Sequence, residues 1–422
     1  MSTYIINKSE KVNWNYLLGY FCLFIILPPI IGIPMVLYNI WSKKQPKFSD
    51  YLLFMFCIAI YMGAINATKG PNGDQLNYFF AYNNVPLIGF YKSLIYIYGG
   101  NYFTDPTKTQ ISGEFMNGVY NYFGYYLTFG YYPLFAALFT FVEYFLIFLG
   151  VYNVFKNMTK PKYPIVCGII TLSFFYLFFQ YTLQIQKQFF AQAIMMFILG
   201  TYAVKGKMTW KLWVGVFCSV FTHASLWLFV PFLVLKPLRD RLTKKWLLFI
   251  CLMLFLFIMY GPQMVNDVAQ DSNSVVGYGM IRFAESEGQK DEASSLVLSQ
   301  VLVIAVPMFI IVFRQLWMKR NMVIDKAQAF ILNITLLLLL AVASMYSKPL
   351  VQIRYFMMLL AFMPFVYPFI SSRTILRNKW LCTISVVMVV WFYFQFSRII
   401  WHYAPEWQIL IFPPAGLIAR GA

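Results

Sequence analysis

Few residues in this chain could do chemistry, and most of them are charged or polar groups set against apolar runs. FTHASLW, residues 221–227, places His223 and Ser225 inside an apolar stretch covering 211–235. An imidazole at that depth needs a hydrogen-bond partner and can equally serve as an acid–base group. A Ser–His nucleophilic pair is not expected, because residues two apart on a helix face different directions. QIQKQFFAQA, residues 184–193, sets Lys187 between Gln186 and Gln188. The lysine either snorkels to the membrane interface or holds an anion. Gln184, Gln188 and Gln192 recur every four residues, a polar stripe that faces a cavity or another helix.

Two more clusters carry charge. YSKPLVQIRYFMM, residues 346–358, brings Lys348 and Arg354 to a helix start at which Pro349 fits the first turn. NATKGPNGDQLNYFFAY, residues 66–82, has Lys69, then Asp74, then Tyr78 and Tyr82 at helical spacing. Asp74 either caps a short helix beginning at Gln75 or joins the rings in binding sugar hydroxyls. Glu143 is a carboxylate deep in an apolar run, fit for an internal pair, a helix–helix hydrogen bond or a proton path.

The elements that must position these groups follow from composition. Of 422 residues, 60% are hydrophobic and only 11% charged, whereas a soluble domain carries about a quarter charged residues. The apolar blocks run to about 18–25 residues, enough to cross a hydrocarbon core of roughly 30 Å. A soluble enzyme, a disordered chain and a fibrous one are excluded. The expected fold is an all-α polytopic membrane protein, a single membrane domain over 1–422 with about 11 spans (about 10 to 12). They lie near 16–41, 50–66, 131–154, 164–183, 186–204, 211–235, 246–261, 296–317, 327–346, 350–370 and 380–401. Pro28, Pro29 and Pro34 should kink the first. The N-terminus lacks the pattern of a cleavable signal, so the first span must direct insertion.

The net charge of +18 does not point to nucleic acid. Of 33 Lys and Arg, 21 fall in six short linkers that flank apolar spans, the pattern of cytoplasmic loops and anionic lipid attraction. Two longer segments oppose them: 67–130, rich in Tyr, Asn and Gly, and 262–295, which is acidic. Both are expected on the non-cytoplasmic side, as is Arg354 with Lys348, whose charge there calls for a carboxylate or phosphate. Both linkers around 211–235 are basic, so either that segment breaks near FTHAS into a re-entrant hairpin or the 236–245 cluster violates the rule; the break is preferred. Six cysteines inside apolar runs read as packers, and with two histidines a metal centre or other cofactor is not expected.

Taken in order, these motifs resemble the EpsG-like branch of the Wzy polysaccharide polymerases, over about residues 50–370. Lys69, Gly73, Asp74 and Tyr78 correspond to a basic residue followed by a G-x-D-Y-x-x-Y-like motif. Glu114 before a Tyr-rich run corresponds to a Glu-Pro-Gly-Tyr-like element. Lys187-Gln188 matches an Arg-Gln helix start, His223-Ala224-Ser225 a His-x-Ser motif, and Arg354-Tyr355-Phe356 an Arg followed by Tyr-Phe. The chain departs from the pattern at Gln75, at Phe115 after Glu114, and at Lys187.

The resemblance implies a GT-C-like, inverting, metal-independent glycosyltransferase of the bacterial inner membrane. It would join undecaprenyl-pyrophosphate-linked oligosaccharide repeat units at the periplasmic face, in membrane lipid, with a chain-length regulator as a possible partner. It further implies that Arg354 and Lys187 bind the pyrophosphate, with Lys348 and Lys69 as auxiliaries. Asp74 is the first choice for general base, with Glu114 and His223 behind it; Tyr78, Gln188 and Tyr355 would contact sugar. A lipid-linked sugar flippase or other transporter, and an O-antigen ligase, stand as alternatives.

Overall fold

The computed structural model describes residues 13–71, 73–96, 111–158 and 160–243, parts of 245–260, then 294–318, 325–345, 349–369, 374–396 and residue 411. The first span divides into α1 (Trp14–Ile26) and α2 (Pro29–Ser42). Asn13 starts α1 by accepting the Tyr16 amide, and the chain leaves it extended at Leu27. The expected kink is therefore a full break, because Pro28 and Pro29 together withhold two backbone donors. The next helix, α3 (Phe48–Asn66), is buried along most of its length.

The segment 67–130, expected as a long outer loop, carries three helices among its described residues: α4 (Asp74–Asn83), α5 (Val85–Ile95) and α6 (Met116–Leu127). Helix α4 begins at Asp74 itself, with Gly73 as cap at φ +56° and no side-chain capping bond, so Asp74 sits inside the first turn and is not the cap. There its charge favours the positive end of the helix. Helix α7 (Tyr132–Phe155) then crosses the bundle. The span expected at 164–183 is two helices, α8 (Lys162–Ser173) and α9 (Tyr176–Gln184), bent by 58°.

Helix α10 (Gln186–Lys205) follows at once and packs against α7, against α11 (Trp210–Thr222) and against a later helix, α14 (Lys326–Ser344). Central placement explains how a span can begin with Gln186, Lys187 and Gln188: its neighbours are protein, so Lys187 and Gln188 meet polar partners instead of acyl chains. The close approach of α7 and α10 depends on Gly150 and Gly200, since a Cβ on Gly200 would lie 2.7 Å from the Gly150 carbonyl oxygen. Small residues set membrane helix packing in this way.

Beyond α11 the chain makes a 3₁₀ turn at Ala224–Phe229 and a short α12 (Val230–Val234). The C-terminal part supplies α13 (Ser294–Phe313), α14, α15 (Pro349–Leu360), α16 (Met363–Val366) and α17 (Thr374–Phe396). Among the described residues three helices, α3, α7 and α14, are each long and apolar enough to cross a membrane, and α8 with α9 makes a fourth if counted as one bent span. Shorter apolar helices accompany them, so the chain is an all-helical membrane protein. Lys348 and residues 262–293, nearly all of the second expected outer loop, lie outside the described residues.

Candidate active site

The break expected near FTHAS is at His223. Helix α11 ends at Thr222, and His223 is extended, with φ −151° and ψ 120°. The helical argument that separates His223 from Ser225 therefore does not hold: freed from helical geometry, His223 Nδ1 and Ser225 Oγ lie 2.6 Å apart. The bond fixes the orientation of the ring, and the tautomer decides which of the two groups donates. The same break leaves the Ala224 amide outside the helix ladder, and it donates to Glu114 Oε1 at 3.0 Å.

Glu114 reaches this point because of the aromatic packing that follows it. Phe115 packs on Phe217 and Phe221 of α11, with ring centroids 6.1 and 5.3 Å away. Tyr120, on the next turn of α6, accepts a hydrogen bond from Thr222 Oγ1 at 3.3 Å and meets Phe190 of α10 at 4.8 Å. Helix α6 is thereby clamped between α10 and α11, and Glu114, two residues before it, reaches the start of α10.

There Glu114 Oε2 receives Lys187 Nζ at 2.5 Å. The lysine side chain is 2% exposed and the carboxylate 15%. Burial pushes the Glu114 carboxyl up, but the charge of Lys187, then that of His223, and the bonds from Lys187 and Ala224 outweigh it and hold the group down at about 2. An ordinary glutamate titrates near 4.5, so the stability Glu114 contributes is fully present above about pH 4.5 and is lost as pH falls toward 2. The share of thermal stability that Glu114 supplies, read as wild type minus E114Q at each pH, is expected to be flat above about pH 5 and to fall below it, by a ΔΔG of about 3 kcal/mol. In E114Q that acid-range contribution should be absent.

The other predicted residues divide between this cluster and the rest of the bundle. Arg354 is exposed on α15, and its charge and that of Lys187 both act on the His223 ring. Its own carbonyl accepts from Gln188 Nε2 at 2.8 Å, while Gln192 Nε2 donates to Met357 O at 3.1 Å and Met358 O at 2.7 Å. The glutamine stripe thus fastens α10 to α15, holding Lys187 and Arg354 in fixed relation; Gln188 is fully buried in that joint. Tyr355, beside Arg354, is partly buried against the core.

Asp74, Tyr78 and Lys69 are placed differently. Asp74 is exposed at the start of α4, and Tyr78 is 2% exposed. Lys69, also 2% exposed, donates to the Phe179 carbonyl at 2.5 Å and sits 3.9 Å from the Phe179 ring centroid on α9. It interacts electrostatically with Glu143, whose two carboxylate oxygens have no hydrogen-bond partner among the described residues. Lys69 and Glu143 are thus two buried ionisable groups that influence each other without forming an ion pair such as Glu114–Lys187.

The sequence marks His223 and Ser225 by motif and leads to a break near FTHAS, but nothing in it signals that the Ala224 amide, left outside the helix that ends at Thr222, takes part. Chemically, the assembled cluster offers two cations, an oriented imidazole and a carboxylate at the edge of a membrane bundle. That set suits a multiply charged anionic ligand.

No curated protein and no solved structure matches the chain. The profile described as the EpsG family matches residues 90–411, a range that includes Glu114, Lys187, His223 and Arg354 but not Lys69, Asp74 or Tyr78. Since the match extends over most of its length, this membrane protein belongs to the EpsG family.

Proposed function

We propose that the protein is a membrane glycosyltransferase that joins polyprenyl-pyrophosphate-linked oligosaccharide repeat units into a surface polysaccharide. The observation that carries the reading is the buried Lys187–Glu114 pair with His223 and Arg354 gathered around it. In glycosyl transfer from a lipid pyrophosphate, negative charge grows on the leaving group as the C1–oxygen bond breaks. Preorganised cations lower that barrier, and Lys187 and Arg354 are positioned to supply them. The acceptor hydroxyl must lose a proton to a nearby base. Asp74, exposed and on another helix, is a weaker choice than the groups of the cluster, namely Glu114 and His223. Inversion at C1 follows if the hydroxyl attacks from the face opposite the pyrophosphate.

Action on the outer face of the inner membrane, with undecaprenyl as the lipid, is part of the same proposal. It accords with basic linkers on one side of the bundle and Glu114 and Arg354 in segments expected on the other. Deleting the protein should abolish polymer and leave single repeat units on their lipid carrier, exposed outward to a periplasmic glycosidase. Units trapped on the inner face would instead indicate a flippase, and polymer retained on its lipid carrier a ligase.

A further inference from the structure

We propose that Glu114 is a built-in stand-in for the donor's pyrophosphate, displaced when the donor binds and thereby released to take the acceptor's proton. The inference rests on the polymerase reading above and adds an order of events to it. One carboxylate oxygen of Glu114 takes the Lys187 ammonium at 2.5 Å and the other takes the Ala224 amide at 3.0 Å. Two oxygens on one centre, one accepting from a cation and one from a backbone N–H, is the arrangement a phosphate would make with the same donors. Arg354 is exposed nearby and able to add its fork to a longer anion. A pyrophosphate entering along Arg354 must therefore compete with Glu114 for Lys187. It carries more charge than one carboxylate, and so it wins the site.

The exchange changes what Glu114 can do. Paired with Lys187, its carboxyl is held at about 2, chiefly by the charge of that lysine working against burial. Such a carboxylate is a poor base. Displaced from both donors yet still within a largely buried segment, it binds protons more readily and can take that of an acceptor hydroxyl brought beside it. That proton then passes to Glu114 as the acceptor oxygen bonds to C1, while the C1–oxygen bond to the donor breaks and its electron pair leaves on the pyrophosphate, whose charge Lys187 and Arg354 take up. Without donor, the base stays occupied, and acceptor is not activated.

The test uses purified full-length protein and farnesyl pyrophosphate as a soluble probe, with dissociation constants measured for wild type, E114Q and E114D, each checked for an intact thermal transition. Losing a charge-assisted competitor should tighten binding about tenfold or more in E114Q. E114D keeps the charge but is one methylene too short to reach both donors, so it should tighten as well. Both should lose polymerisation, E114Q by about a hundredfold or more. Unchanged or weaker binding in E114Q overturns the stand-in role. Tightening in E114Q without any in E114D also overturns it, in favour of simple charge repulsion. Failure of the probe to bind wild type and both variants alike would remove the polymerase reading itself.

Discussion

A Lys187→Ala protein is expected to lose both folded yield and polymer formation, and the two losses should be separable. The substitution strands Glu114 in a partly buried site, with the Ala224 amide as its remaining partner among the contacts described above. Removing one member of a buried ion pair costs about 3–5 kcal/mol, because the other charge stays desolvated. Thermal unfolding in detergent should show that cost. Removing Glu114 as well takes away the stranded charge, so K187A/E114A should regain most of the wild-type stability. It should not regain activity, since the cation facing the leaving group is still missing. A double variant that recovered both would make the pair a structural clasp and nothing more.

Arg354→Ala should behave in the opposite manner. The Arg354 side chain is exposed, and the contact that joins α15 to α10 uses its backbone carbonyl, which any residue supplies. Folding should therefore be close to wild type, within about 0.5 kcal/mol. Activity should fall about 100- to 1,000-fold, the cost of removing one preorganised charge-stabilising donor. Arg354→Lys should restore part of it, as a point charge without the bidentate fork. Polymer length on a gel and accumulation of the single-unit lipid report both effects, and wild-type polymer in R354A would remove this residue from the mechanism.

The contrast between these two cations shows how much of the molecule could be read from its sequence. Composition alone identifies a helical membrane protein, and the prolines at 28 and 29 mark the break between α1 and α2. The paired basic linkers around 211–235 lead to a break near FTHAS, and it falls at His223. Each of these is local, governed by the backbone chemistry of a few consecutive residues.

What the sequence does not show is pairing across distance. Glu114 and Lys187 are 73 residues apart, and their contact depends on Phe115 and Tyr120 seating α6 against α11 and α10. Within 67–130 the sequence marks one short helix near Gln75, yet three helices form among the described residues, with Tyr82 of α4 packing on Tyr132 and Phe135 of α7. The glutamines of α10 illustrate the same limit. Their spacing marks a polar stripe, but only the position of α15 decides that Gln188 and Gln192 spend their amides on backbone carbonyls. Asp74 stands out by motif, and the fold leaves it exposed in the first turn of α4.

Reconstitution gives the most direct measurement. Wild-type protein and the K187A/E114A double variant, matched for thermal stability, are placed in liposomes with a lipid-linked repeat unit as the only substrate, and products are resolved by length. Wild type should give a ladder of dimers and longer chains with release of polyprenyl pyrophosphate, and the double variant should leave the single unit intact. Dimers formed by the double variant at the wild-type rate would contradict a leaving-group role for Lys187.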